Sequence, residues 1–174
     1  ILLEKMNFNY KALINNIENF PTQGIGFKDI SPLLASKHFK NLIMEMGDLV
    51  KKPDFWVGVE SRGFIFASAL AIEFGGGVVL CRKAGKLPGK VITKSYKTEY
   101  STDQLSIKKG LGSVVIVDDV IATGGTLAIV NKLCISAGYN VLDNLVLIDL
   151  RYVPRNQHFL TAGINNIKSL IIYD

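Results

Sequence analysis

Residues Val114 to Thr126 read VVIVDDVIATGGT, and this run decides the architecture. Val114 to Val117 form a strand without polar alternation, as expected where helices cover both faces of a parallel sheet. The strand delivers Asp118 and Asp119 to its carboxyl end, the edge at which open α/β sheets bind ligands. Ala122 to Thr126 then supply two glycines that let the backbone approach an anion, two hydroxyls, and the start of a helix. The first N–H groups and the dipole of that helix favour a phosphate. The run is not a nucleotide P-loop, because GxxxxGK[ST] with its lysine is absent. Paired carboxylates are suited to accept from two vicinal sugar hydroxyls.

Outward from this run the alternation continues. Phe55 to Val59 (FWVGV) reads as a buried strand, Phe64 to Phe74 as a helix and Val78 to Cys81 as a strand. Thr126 to Ala137 reads as a helix capped by Gly138, and Val141 to Leu150 as a further strand. Strand, helix and strand in this order predict an α/β fold with a central parallel sheet flanked by helices. Leu3, Met6, Tyr10, Leu13, Ile14 and Ile17 predict an amphipathic N-terminal helix ending near Phe20-Pro21. Phe39, Leu42, Ile43, Met46, Leu49 and Val50 predict a second, capped by Ser36 and closed by Pro53. Lys86 to Gly112 breaks the pattern and reads as a long excursion, a hairpin arm with β-prone pieces around Val91 to Tyr100.

The 174 residues suit one domain, and 48% apolar with 20% charged residues describe a globular chain with a well-buried core. A net charge of +5 favours polyanionic partners: nucleic acid, a membrane surface or a phosphorylated small molecule. The basic residues are spread out apart from Arg82, Lys83, Lys86 and Lys90, which favours a small anion over a nucleic-acid track. Cys81 and Cys134 stand far apart with no His or Cys at ligand spacing, so the reading is free thiols in a reducing compartment. No apolar run approaches the ~18 residues of a spanning helix, and a cytoplasmic location without membrane association is expected.

Two further stretches face the same sheet edge. Glu60, Ser61, Arg62 and Gly63 occupy the turn after FWVGV, offering N–H groups and an arginine to a second anionic group. Arg82 to Gly89 (RKAGKLPG) follow the next strand and bring Arg82, Lys83 and Lys86, cations able to offset charge on a departing anion.

The run from Val114 to Thr126 resembles the phosphoribosyl pyrophosphate motif of type I phosphoribosyltransferases. The resemblance implies that Asp118 and Asp119 hold the ribose hydroxyls and that Ala122, Thr123, Gly124, Gly125 and Thr126 hold the 5′-phosphate. It makes Ser61 and Arg62 part of a pyrophosphate loop, often with a non-proline cis peptide, here Glu60-Ser61, and adds Arg82, Lys83 and Lys86 to that anion. Within this family RKAGKLPG resembles the adenine phosphoribosyltransferases. Ser95 to Ile107 (SYKTEYSTDQLSI) is similar to their flexible catalytic lid, whose Glu99 and Tyr100 would close over the substrates and exclude water. Phe20 to Pro32 (FPTQGIGFKDISP) is similar to their base-binding hood, with adenine stacked on Phe27 and read by main-chain groups of Gly26 and Lys28. The sequence departs from the pattern at two of these positions, Gly26 for a branched apolar residue and Lys28 for arginine.

The resemblance implies one domain over residues 1–174, with a hood at about 1–35 and a lid at about 90–110. It implies transfer of phosphoribose to adenine, giving AMP and pyrophosphate, with magnesium carried mainly on substrate oxygens, in a homodimer. Transfer to another base such as xanthine, hypoxanthine or orotate is the alternative that Gly26 leaves open. A DNA-binding regulator is disfavoured by the intact lid and the lack of an added helix-turn-helix.

Overall fold

The computed structural model describes residues 8–21, 23–24, 26–97, 102–165 and 167–174. They divide into two compact units between Leu42 and Ile43. In the smaller, β1 (Asn15–Ile17) and β2 (Phe27–Asp29) pair antiparallel, with Asn16 opposite Lys28. A short helix α1 (Ser31–Leu34) follows, and α2 (Phe39–Asp48) runs across the division. The helix expected from Leu3 to Ile17 is not what the described part of that segment forms. A 3-10 turn at Tyr10–Leu13 leads directly into β1. Tyr10 and Ile14 still bury, so the apolar stripe is satisfied, while Asn15 and Asn16, poor helix formers, gain a ladder against Asp29 and Lys28. Leu3 and Met6 lie outside the described residues.

The larger unit holds β3 (Phe55–Val59), α3 (Gly63–Phe74), β4 (Gly77–Lys83), β5 (Ile92–Lys97), β6 (Thr102–Ile107), β7 (Gly112–Ile121), α4 (Gly125–Ala137), β8 (Tyr139–Leu150), α5 (Gln157–Thr161) and β9 (Ile167–Tyr173). The sheet has seven strands in the order β5-β6-β4-β3-β7-β8-β9. From β4 through β9 every neighbouring pair is parallel, as the alternation predicts. The hairpin arm is present as β5 and β6, antiparallel to each other, with β6 antiparallel to β4. The sheet is therefore mixed rather than wholly parallel, because a chain returning through a short connection can pair only antiparallel.

Buried apolar residues explain the layers. Val57, Val59, Cys81 and Ile116 of the sheet form one cluster with Leu127, Val130 and Leu133 of α4. A Cβ at Gly58 would meet Phe64 and Ala67 of α3 at 3.1 Å, so glycine there sets the approach of α3 to β3. Two buried amides tie α4 to β8: Asn131 Nδ2 donates to Asn144 Oδ1 at 2.7 Å and to Leu127 O at 2.8 Å. Cys81 and Cys134 are free and buried, and burial pushes the Cys134 thiol up to about 12. Among the described residues no helix is long and apolar enough to cross a membrane.

Candidate active site

The acid pair sits inside β7, with Asp118 registered opposite Val146 of β8. Asp118 and Asp119 are each only 8% exposed, and the Asp119 N–H donates to Asp118 Oδ1 at 2.9 Å. Burial raises the Asp118 carboxyl well above the usual carboxylate range, the neighbouring Asp119 charge raises it further, and Arg62 offsets this only in part. Arg62 Nε lies 2.5 Å from Asp119 Oδ2. Hydrogen-bond geometry is not met there, and that buried oxygen has no hydrogen-bond partner among the described residues. Gly63 makes this proximity possible: a Cβ would lie 2.7 Å from Val117 O and 3.3 Å from Asp118 Cα. The first turn of α3 thus abuts the strand end that carries both acids.

Beyond the acids, Ala122 to Thr126 form the rim of a cavity of about 130 Å³ lined also by Asp118, Val120, Ile121 and Leu127. Gly124 is the N-cap of α4 with φ 84°, a left-handed conformation that disfavours any side chain, and a Cβ there would meet Phe159 at 2.5 Å. The helix opens with no acidic residue in its first turn, and the N–H groups of that turn have no acceptor in its own ladder. A phosphate placed there would meet unsatisfied donors and the positive end of the dipole. Tyr96 of β5 lines a cavity together with Gly125 and Ala128, which places the hairpin arm beside this loop.

At the end of β3 the Glu60-Ser61 peptide is cis, as the resemblance implies. Ser61 is exposed and Arg62 half-buried. Glu60 organises the neighbouring cations. Its carboxylate accepts the Lys83 N–H at 2.7 Å and Arg82 Nη2 at 3.3 Å, and pairs with Lys86 Nζ at 3.5 Å. Burial alone would raise the Glu60 carboxyl, but the Lys83 N–H and the charges of Arg82 and Lys86 bring it below its ordinary value. Arg82 Nη1 also donates to Lys86 O at 3.2 Å, and Arg82 Nε is buried without a hydrogen-bond partner among the described residues.

The structure thus brings Ser61, Arg62, Arg82, Lys83, Lys86, Asp118, Asp119 and Ala122–Thr126 to the carboxyl ends of β3, β4 and β7. The smaller unit carries the other described candidates. Gly26 immediately precedes β2, Phe27 opens that strand, and the Phe27 ring meets Phe20 edge-on at 5.0 Å. Lys28 Nζ donates to Asn16 Oδ1, and burial, then Lys11, lowers its pKa. Glu99 and Tyr100 lie outside the described residues. Sequence reading gave no role to Glu60, although an acid one residue before an anion-binding turn, beside a strand ending in Arg-Lys, is a legible signal for holding those cations. It read Arg151 to Phe159 only as a weak match to the family and gave Arg155 to Phe159 no role, because contacts to backbone atoms carry no motif.

A model of the phosphoribosyl transferase domain matches residues 30–151. Fold and site together define a phosphoribosyltransferase. Over 148 residues the chain is 46% identical to the adenine phosphoribosyltransferase of Hydrogenovibrio crunogenus, covering 82% of this chain and 86% of that one. The crystal structure of adenine phosphoribosyltransferase from Thermoanaerobacter pseudethanolicus is 38% identical, with a TM-score of 0.85 over 94% of this chain and 98% of that one. APRTase from Giardia lamblia, complexed with 9-deazaadenine, is 31% identical, with a TM-score of 0.82 over 95% and 96% of the two chains. The chain belongs to the adenine phosphoribosyltransferase family, glycosyltransferases of purine salvage.

Proposed function

We propose that this enzyme transfers the phosphoribosyl group of phosphoribosyl pyrophosphate to adenine, releasing AMP and pyrophosphate, as one functional domain with its hood at about residues 1–35 and its lid at about 90–110. The observation that carries the reading is buried Asp118, next to buried Asp119, lining a cavity walled by Ala122 to Leu127 at a helix N-terminus. That order of groups matches a ribose 5-phosphate, with hydroxyls on the acids and phosphate on the loop. Ser61, Arg62, Arg82, Lys83 and Lys86 receive the pyrophosphate and offset the charge it gains as the anomeric bond breaks. Gly26, Phe27 and Lys28 hold the base, and Glu99 with Tyr100 closes the site and exchanges a proton with the purine.

Magnesium is the metal this reading takes. Hard carboxylate oxygens at Asp118 and Asp119 would lie beside the donor's own oxygens, and because Arg62 already pairs with Asp119 Oδ2, the donor's oxygens would carry most of the cation. Bound there, it would neutralise charge on the diphosphate. The donor's diphosphate and ribose oxygens would complete its shell.

A homodimer is supported by an apolar surface on α3 and β4, where Ile65, Ile72, Val78 and Leu80 are exposed at 40%, 86%, 37% and 39%. The cytoplasm suits two free, buried thiols. The test is a base panel: purified protein, phosphoribosyl pyrophosphate and magnesium should give AMP from adenine and little nucleotide from hypoxanthine, xanthine or orotate. Equal turnover of another base would transfer the assignment to that base. A mass measured by light scattering should be twice that of the chain.

A further inference from the structure

Arg155 to Phe159 touch four consecutive residues of the loop that follows β7. Arg155 Nη1 donates to Ala122 O, and the Asn156 N–H donates to Thr123 O at 2.9 Å. A Cβ at Gly124 would strike the Phe159 ring at 2.5 Å, and one at Gly125 would strike Asn156 Nδ2 at 2.7 Å. The segment is itself held. Arg155 Nη2 pairs with Asp149, a carboxylate 7% exposed at the end of β8, and Asn156 Oδ1 accepts the Phe159 N–H at 2.9 Å to cap α5.

The planarity of the peptide gives these contacts a consequence. A trans peptide points its C=O and its N–H in opposite directions. Tying back the carbonyls of Ala122 and Thr123 therefore turns the N–H groups of Thr123 and Gly124, which share those peptide planes, away from Arg155 and Asn156. The same contacts remove two carbonyl oxygens that would repel an anion.

We propose that Arg155, Asn156 and Phe159 are positioning residues that set Ala122 to Gly125 in the form that receives the 5′-phosphate, with Asp149 holding Arg155 in place. The inference rests on the reading of that loop as the 5′-phosphate site. None of the three side chains need touch substrate.

The test separates the two anionic halves of the donor. Calorimetric titration of Arg155→Met with ribose 5-phosphate should show a dissociation constant raised about tenfold or more, the effect of a lost charge-assisted hydrogen bond. Pyrophosphate should bind as in wild type. Arg155→Lys, which keeps the charge but presents one nitrogen in place of the two that meet Asp149 and Ala122, should fall between. In steady state, KM for phosphoribosyl pyrophosphate should rise while KM for adenine holds. Unchanged ribose 5-phosphate affinity in folded Arg155→Met, or equal loss of both ligands, overturns the proposal. If Arg155→Met does not fold, Arg155→Lys decides by the same two criteria. Thr126→Val, a direct change in the loop, is titrated alongside. If it too leaves ribose 5-phosphate affinity intact, the loop reading itself fails; if it alone loses affinity, only the positioning role does.

Discussion

The loops after β7 and after β3 stand at the ends of adjacent parallel strands, yet they are held by opposite means. After β7 the backbone is fixed by neighbours: Gly124 lies against Phe159, two carbonyls are tied back, and among the described residues no cation lines the cavity. After β3 and β4 the order comes from charge, with Arg82 and Lys86 gathered on Glu60 and Arg62 drawn to Asp119. The first region presents a shape that exists before any ligand arrives. In the second, an incoming anion meets cations that acids already hold in place. Under the proposed reading the comparison teaches a division of labour within one donor: backbone geometry would recognise the 5′-phosphate, and gathered charge the leaving pyrophosphate.

Breaking the shaped half should have the largest effect. Gly124→Val forces a side chain into a left-handed conformation and against a ring, at a cost of roughly 1–2 kcal/mol for the backbone before the clash is added. Ribose 5-phosphate affinity should drop by about 100-fold. A calorimetric titration showing less than a fewfold loss would mean that the loop does not need its observed form. Breaking the charged half should cost less. Glu60→Gln removes the acid that collects Arg82, Lys86 and the Lys83 N–H, and pyrophosphate affinity should weaken by about tenfold, the worth of one charge-assisted hydrogen bond. Ribose 5-phosphate binding should stay constant, and a matching loss there would erase the distinction between the two halves.

The two regions were also unequally legible in sequence. VVIVDDVIATGGT showed acids, loop and helix in their observed order, because each rests on a local property: apolar continuity, glycine freedom, a helix start; the strand, read as ending at Val117, runs on through the acids to Ile121. Arg62 and Arg82 were legible as cations at the right edge, but not as partners of Asp119 and Glu60. Those pairings join positions separated by 57 and 22 residues and depend on register. Arg155 and Asn156 left no sequence signal, since a guanidinium and an N–H that satisfy carbonyls more than 30 residues away have no motif. At the other end, helical spacing from Leu3 to Ile17 pointed to a helix, where Asn15 to Ile17 instead found a strand partner in Phe27 to Asp29. Tertiary pairing overrode a weak local pattern.

Salt should sharpen the contrast by a smaller margin. Exposed cations such as Lys86 act through Coulomb attraction, which shortens to a few ångströms of reach at molar ionic strength. Backbone N–H groups fixed at a helix start are screened less. Raising potassium chloride from about 0.05 to 0.5 M should weaken pyrophosphate binding by about threefold more than ribose 5-phosphate binding. Parallel salt slopes would indicate that both ends are read by charge.

Asp118 joins the two regions, since it lines the cavity and also lies beside Gly63 and Arg62, and its smallest testable effect is on stability. Burial and the Asp119 charge raise its carboxyl in the folded chain, so the native state holds a proton that the unfolded chain releases. Stability from this group is complete below the ordinary carboxylate value, about pH 4, and is lost as pH rises through the raised folded value. Asp118→Asn keeps an oxygen to accept the Asp119 N–H and cannot ionise. Its Tm should match that of the wild type near pH 4 and exceed it by a margin that widens toward neutrality. A wild-type Tm that runs parallel to the variant's from pH 4 to 8 would show that Asp118 ionises as freely folded as unfolded, and that Arg62 serves the acid pair as fully as it serves the anion site.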